Sequence, residues 1–183
     1  MYNHLVLLRG INVSGQKLIK MEELRNHLTD NGFQNVQTYI QSGNVFVTTA
    51  EADPNVVEQQ VAALLLDKYG FQVTVVAISE AGLKKVFTNN PFLADAAIGL
   101  KQLYVAFLAE VPQQENVGKL DASFVHPDTF TMGDRALYLC YHNNAGNSKM
   151  TNNWIENRLK VTATSRNWNT VTKLVALFEA RKG

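Results

Sequence analysis

The chain has 183 residues, 46% apolar and 18% charged, enough to bury one sizeable core or two small ones, which excludes a disordered chain. Its 17 Lys+Arg and 16 Asp+Glu leave a formal charge of +1, so no bulk field draws it to nucleic acid or a membrane surface, and any anion site must be local. The single Cys140 cannot form an internal disulfide, His4, His27, His126 and His142 lack metal-ligand spacing, and no apolar run approaches the roughly 18 residues of a membrane span.

In chain order, His4 to Ile11 is an apolar run of strand length, followed by a Gly-, Asn- and Ser-rich loop over 12–16. Met21, Leu24 and Leu28 mark one face of a short helix that stops at Asn31 and Gly32. Residues 36–41 and 45–49 are β-rich and joined through Ser42, Gly43 and Asn44, which predicts a hairpin. Asp53 and Pro54 open a helix whose stripe is Val57, Val61, Leu64 and Leu65; a strand over 73–78 and a short helix over 79–87 follow, with a stop at Asn90 and Pro91. The pattern then repeats. A strand over 103–108, a weak helix over 112–120, a hairpin of 129–132 with 136–141, a helix over 150–159, a strand over 161–164 and a long helix over 168–181 complete the chain.

This order is βαββαβ twice, each with an added helix. It predicts an α+β protein of two ferredoxin-like lobes in a duplicated arrangement, residues 1–96 and 100–183, each with an antiparallel sheet. The charge follows the halves unevenly. Four basic residues face three acidic in 1–50, five face ten in 51–130, and eight face three in 131–183, so the second lobe ends basic.

The topology brings the exit of strand one and the turn between strands two and three to one edge. In the first half that edge holds Arg9, Gly10, Asn12, Lys17, Gln41, Ser42, Gly43 and Asn44. In the second half the opposite edge is loaded, with Asn147, Ser148, Lys149, Arg166, Asn167 and Trp168, and Lys173 nearby, in loops that each open a helix. The two edges are expected to face one another across the junction between lobes. Against this stands the fact that Gly, Asn and Ser also serve simply as turns and caps.

Cofactor motifs are missing. Gly10 to Lys17 misses the phosphate-cradling P-loop, because Gln16 displaces the lysine and Leu18 replaces the hydroxyl, and there is neither a dinucleotide fingerprint nor a nucleophile elbow, so no cofactor is expected. Ser14, Ser42 and Ser148 have no histidine placed beside them, His142 being the nearest to the 143–149 loop. Cys140 falls within a strand, and Glu22 and Glu23 suit the first turn of a helix. Trp154 and Trp168 are read as core, with stacking on a base as the alternative. Tyr39 on strand two is a further ring for an exposed sheet face, but the full aromatic signature of an RNA-binding sheet is missing.

Five ordered blocks, Leu8 to Val13, Tyr39 to Val45, Asn90 to Phe92, Ser148 to Asn152 and Thr164 to Leu174, resemble the bacterial domain of unknown function 1697 family from end to end. The family usually has a second glycine where Ser14 stands and a more basic stretch after it. The resemblance implies the duplicated α+β architecture and supplies no reaction, cofactor or catalytic residue. From the residues, the expected function is a cytoplasmic protein that holds a phosphorylated or other anionic small ligand, a nucleotide among them, in a groove between lobes, with no membrane partner. A nucleic-acid-binding module built on the basic half and a protein-interaction scaffold are the alternatives.

Overall fold

Alternating apolar residues on both sides of β1 (Tyr2–Arg9) make it a central strand, since both of its faces must be covered. The computed structural model describes residues 1–181; Lys182 and Gly183, the end of the basic third, lie outside the described residues. Its first compact unit, Met1–Leu83, continues with α1 (Met21–Asp30), β2 (Gln34–Tyr39), β3 (Asn44–Thr49), α2 (Pro54–Tyr69) and β4 (Thr74–Ser79). The sheet order is β2-β3-β1-β4 with every neighbouring pair antiparallel, which is the ferredoxin-like split βαβ topology. Val6, Leu8, Val45, Val47, Val75 and Ala77 pack from the sheet against Leu24 and Leu28 of α1 and Val57, Val61 and Leu65 of α2. Leu5, Leu7, Phe46, Val76 and Ile78, which point the other way, are buried as well.

α3 (Glu80–Thr88) begins in the first unit and ends in the second, which starts at Lys84. Beyond 3-10 turns at Pro91–Ala94 and Leu100–Gln102 come β5 (Leu103–Leu108), α4 (Gln114–Val117), α5 (Ala122–Val125), β6 (Thr129–Met132), β7 (Ala136–Cys140), α6 (Asn152–Leu159), β8 (Ala163–Asn167) and α7 (Trp168–Ala180). The sheet order β6-β7-β5-β8 repeats that of the first unit, again fully antiparallel. Two sequence expectations are corrected here. The helix expected over 112–120 is confined to Gln114–Val117 and a further short helix, Ala122–Val125, follows it under an Asp121 cap; the last strand runs on to Asn167, so Arg166 and Asn167 belong to a strand rather than a loop.

The duplication extends to one side-chain device. In each unit the glutamate at the fifth position of the helix that precedes the last strand reaches the outer edge of that strand: Glu58 Oε1 accepts from the Ala77 N–H at 2.8 Å, and Glu156 Oε1 from the Ala163 N–H at 2.8 Å. Each is flanked by buried aliphatics, Val57 and Val61 in one helix, Ile155 and Leu159 in the other. An edge strand whose amide is bonded to a carboxylate is a poorer template for another chain.

Two tyrosines lock the second unit. Tyr138 Oη donates to the Val86 carbonyl at 3.0 Å and Tyr141 Oη to the Met150 carbonyl at 2.9 Å. Burial is the main cause that pushes the Tyr138 hydroxyl up to about 12, and it raises Tyr141 too. An unfolded tyrosine releases its proton near pH 10, whereas folded Tyr138 keeps it to about 12. Stability is therefore complete below about pH 10 and lost as pH climbs toward 12, by up to roughly 3 kcal/mol for this residue. Denaturant melts at about pH 9 and pH 11.5 should show that loss in the wild type and a smaller one in Tyr138→Phe.

Candidate functional site

The conspicuous polar loops of the first unit do meet at one edge, and Asn12 is what joins them. Its Nδ2 donates to the Ile19 carbonyl at 2.9 Å and to the Gln41 carbonyl at 3.0 Å, while its Oδ1 accepts from the Ile19 N–H at 2.8 Å. The Asn12 N–H also reaches the Lys17 carbonyl, so residues 12–19 form a closed loop tied to the β2–β3 turn. At its tip the Gln16 N–H donates to the Val13 carbonyl at 2.9 Å, and Ser14 and Gly15 both have positive φ, as a two-residue type I′ turn requires. Lys17 Nζ stitches the loop to the Gln72 carbonyl at 2.7 Å.

The neighbouring turn is built as tightly. Gly43, at φ 77°, accepts the Leu8 N–H on its carbonyl at 2.8 Å. Asn44 is fully buried, and its Nδ2 donates to the Tyr39 carbonyl and to Ser42 Oγ. Asn12, Ser14, Lys17 and Ile40 all take left-handed backbone conformations, which asparagine tolerates and which cost the other three roughly 1–2 kcal/mol each. Ile40 is the least expected of them, because its side chain is β-branched and 51% exposed.

Beside these loops lies an open groove of about 530 Å³, lined by Asn12, Leu18, Lys20, Met21, Glu22, Arg25 and Gln41. Arg25 is half-buried and donates to Thr38 Oγ1 at 2.6 Å. Lys20 pairs with Glu23 at 3.0 Å, and that hydrogen bond raises its ammonium above the usual range. Arg9 ends β1, Gly10 follows at φ 72°, and the Gln41 side chain is exposed. Sequence reasoning misses Lys20 and Arg25, because periodicity marks Arg25 only as the polar side of α1 and Lys20 only as the residue before it. Replacing Asn12 by alanine should cost roughly 1–3 kcal/mol for its lost bonds. Faster hydrogen exchange at the Ile19 amide, with unchanged exchange in β3, would report that loosening.

In the second unit the residues of the other polar edge are largely spent on local structure. Ser148 Oγ donates to Asp128 Oδ2 at 2.5 Å and accepts from the Met150 N–H, and Asp128 Oδ1 accepts the His142 N–H at 2.9 Å. This buried carboxylate clips the 142–150 loop, a role that no spacing in the sequence announces. Asn147 closes a 3-10 turn, and Lys149 Nζ lies 5.2 Å above the Phe124 ring. Arg166 turns back along its own strand, donating to Thr164 Oγ1 at 3.0 Å and the Ser165 carbonyl at 2.9 Å, and enclosure lowers its guanidinium to about 10. Asn167 caps α7 by accepting the Thr170 N–H at 2.8 Å, and Lys173 is exposed on that helix.

Both tryptophans are core, as expected. Trp168 is 3% exposed and stacks on Phe87 with ring centroids 5.3 Å apart, and Trp154 packs between Phe124 and Phe130. Cys140 is buried, 3.9 Å from His142 Nε2, and burial, its largest influence, raises its thiol, so it stays protonated at neutral pH and is a poor nucleophile. Among the described residues no group of three metal-ligating side chains gathers, and no helix is long and apolar enough to cross a membrane.

A family model described as a protein of unknown function, DUF1697, matches residues 1–138. Among solved structures, the chain is similar to a conserved bacterial protein from Streptococcus pneumoniae at 22% identity and a TM-score of 0.70, over 98% of this chain and 99% of that one. At that identity the likeness speaks for the fold. No curated protein matches the chain.

Proposed function

Since the chain belongs to the DUF1697 family of proteins of unknown function, its role has to be read from its own residues, and we propose that the β1-exit edge of its first unit binds an anionic ligand. The observation that carries this reading is the Asn12 hub, which holds two strained loops beside a groove containing Lys20, Arg25 and Gln41. Loops already fixed in one conformation bind without a further ordering cost, and strained backbone of this kind concentrates at ligand clamps. Arg25 offers a planar fork of donors to a phosphate or carboxylate, Lys17 and Arg9 add positive charge at the same edge, and the Gln41 amide orients the ligand. A phosphorylated small molecule, a nucleotide included, falls within this class. The polar side chains of the second unit favour it less, because Asn144, Asn167 and Ser148 are already engaged as caps and clips.

Isothermal titration with inorganic phosphate and a panel of nucleotides and sugar phosphates tests the proposal. Binding by the wild type, weakened about tenfold in Arg25→Gln by loss of a charged hydrogen bond, is the expected result. No binding across the panel, or equal binding by the variant, would reject it. A nucleic-acid partner gains no support from the tryptophans, since Trp154 and Trp168 have their rings packed inside the second unit.

A further inference from the structure

The edge that carries the proposed anion site also displays three aliphatic side chains to solvent: Val13 is 59% exposed, Leu18 66% and Ile40 51%. Each is the chain neighbour of a residue in the Asn12 hydrogen-bond set, since Val13 follows Asn12, Leu18 precedes Ile19 and Ile40 precedes Gln41. One amide thus ties together the backbone segments that carry all three. Leu18 also lines the groove, together with Lys20, Glu22 and Arg25. Arg9, Lys17, Lys20 and Arg25 against Glu22 and Glu23 leave residues 9–25 with a positive balance.

Scattered exposed aliphatics need no explanation, but these are carried by segments tied to one hub, and one is held at a conformational cost. Ile40 sits at φ 50°, where asparagine or glycine would be relaxed, and half of its surface stays exposed. We infer that this edge docks an acidic peptide segment carrying aliphatic side chains: its carboxylates meet Arg25, Lys20 and Lys17, and its apolar side chains cover Val13, Leu18 and Ile40. This rests on the anion reading above and names the ligand class. Aliphatic tips offer no stacking platform for nucleic-acid bases, which use aromatic rings, so charge complementarity together with aliphatic surface points to peptide.

Fluorescence anisotropy with three short labelled peptides, alternating Glu and Leu, Glu and Ser, or Lys and Leu, separates the contributions. The Glu/Leu peptide should bind, the Glu/Ser peptide about tenfold or more weakly, and the Lys/Leu peptide not at all. Ile40→Asn should weaken Glu/Leu binding while raising Tm by a few degrees, a pairing expected only where strain is retained for binding. Equal binding of the Glu/Leu and Glu/Ser peptides, or an Ile40→Asn variant that binds as well as the wild type, would overturn the peptide inference. Phosphate binding without peptide binding would overturn it too, while leaving the anion reading standing. Failure of phosphate, nucleotides and peptides alike would overturn both.

Discussion

Gly43→Ala is expected to destabilise the first unit by roughly 2–5 kcal/mol, far more than the same change at Gly15. Both glycines have left-handed backbone, φ 77° and 72°, so both substitutions carry the cost of about 1–2 kcal/mol for an L side chain there. At Gly15 that is the whole cost, because a Cβ would meet nothing within 4 Å. At Gly43 the new Cβ would stand 2.6 Å from Leu8 Cβ and 3.1 Å from the Leu8 carbonyl oxygen, neither of which is the free end of a flexible chain. Overpacking of this kind adds about 1–3 kcal/mol, and the β2–β3 turn must move away from β1, weakening the Leu8 N–H to Gly43 carbonyl bond. Urea denaturation of the two variants side by side isolates the steric part. Equal loss in both would mean that the turn does not approach β1 as closely as described.

Trp168→Ala should cost the second unit about 3–5 kcal/mol, the range for emptying a large aromatic site. Trp168 is the first residue of α7, buried against Phe87 in a parallel stack, and Val171, Leu174, Val175 and Phe178 of the same helix are buried with it. Removing the indole leaves a cavity at the point where β8 turns directly into α7. Denaturant unfolding followed by circular dichroism checks the magnitude. A loss under about 1 kcal/mol would mean that the ring is dispensable to the core and would reopen a role for it in stacking on a ligand.

Much of the architecture was legible because its signals are local. Strand one, the Met21 stripe, the Asp53–Pro54 helix start and the hairpin through Gly133 and Asp134 each depend on residues close in sequence, and β5 and β6 appear at the residues expected. The misses have physical causes. Serine, arginine and asparagine at 165–167 carry weak strand signals, so the extension of β8 to Asn167 depends on its pairing with β5 across Tyr104 to Leu108. The helix expected over 112–120 breaks at Gly118, and Asp121 supplies a fresh cap for the next.

For the candidate site the division is sharper. That the polar loops of the first half share an edge followed from strand order alone, and Asn12 donating to the Gln41 carbonyl bears it out. Which of those polar groups remain available to a ligand did not follow. An asparagine in a loop reads the same whether it faces solvent or ties down three backbone groups, and only the folded chain brings Ile19 and Gln41 to Asn12.

By itself, then, the sequence determined two βαββαβ repeats, their central strands and the clustering of polar loops, because periodicity, caps and turn residues act over a few positions. Tertiary structure alone decided that Asp128 clips the 142–150 loop, that Glu58 and Glu156 seal matching sheet edges, that Arg166 folds back on its strand and that Val13, Leu18 and Ile40 stand exposed around one hub. Those outcomes depend on burial and on partners distant in the chain, which no local pattern encodes.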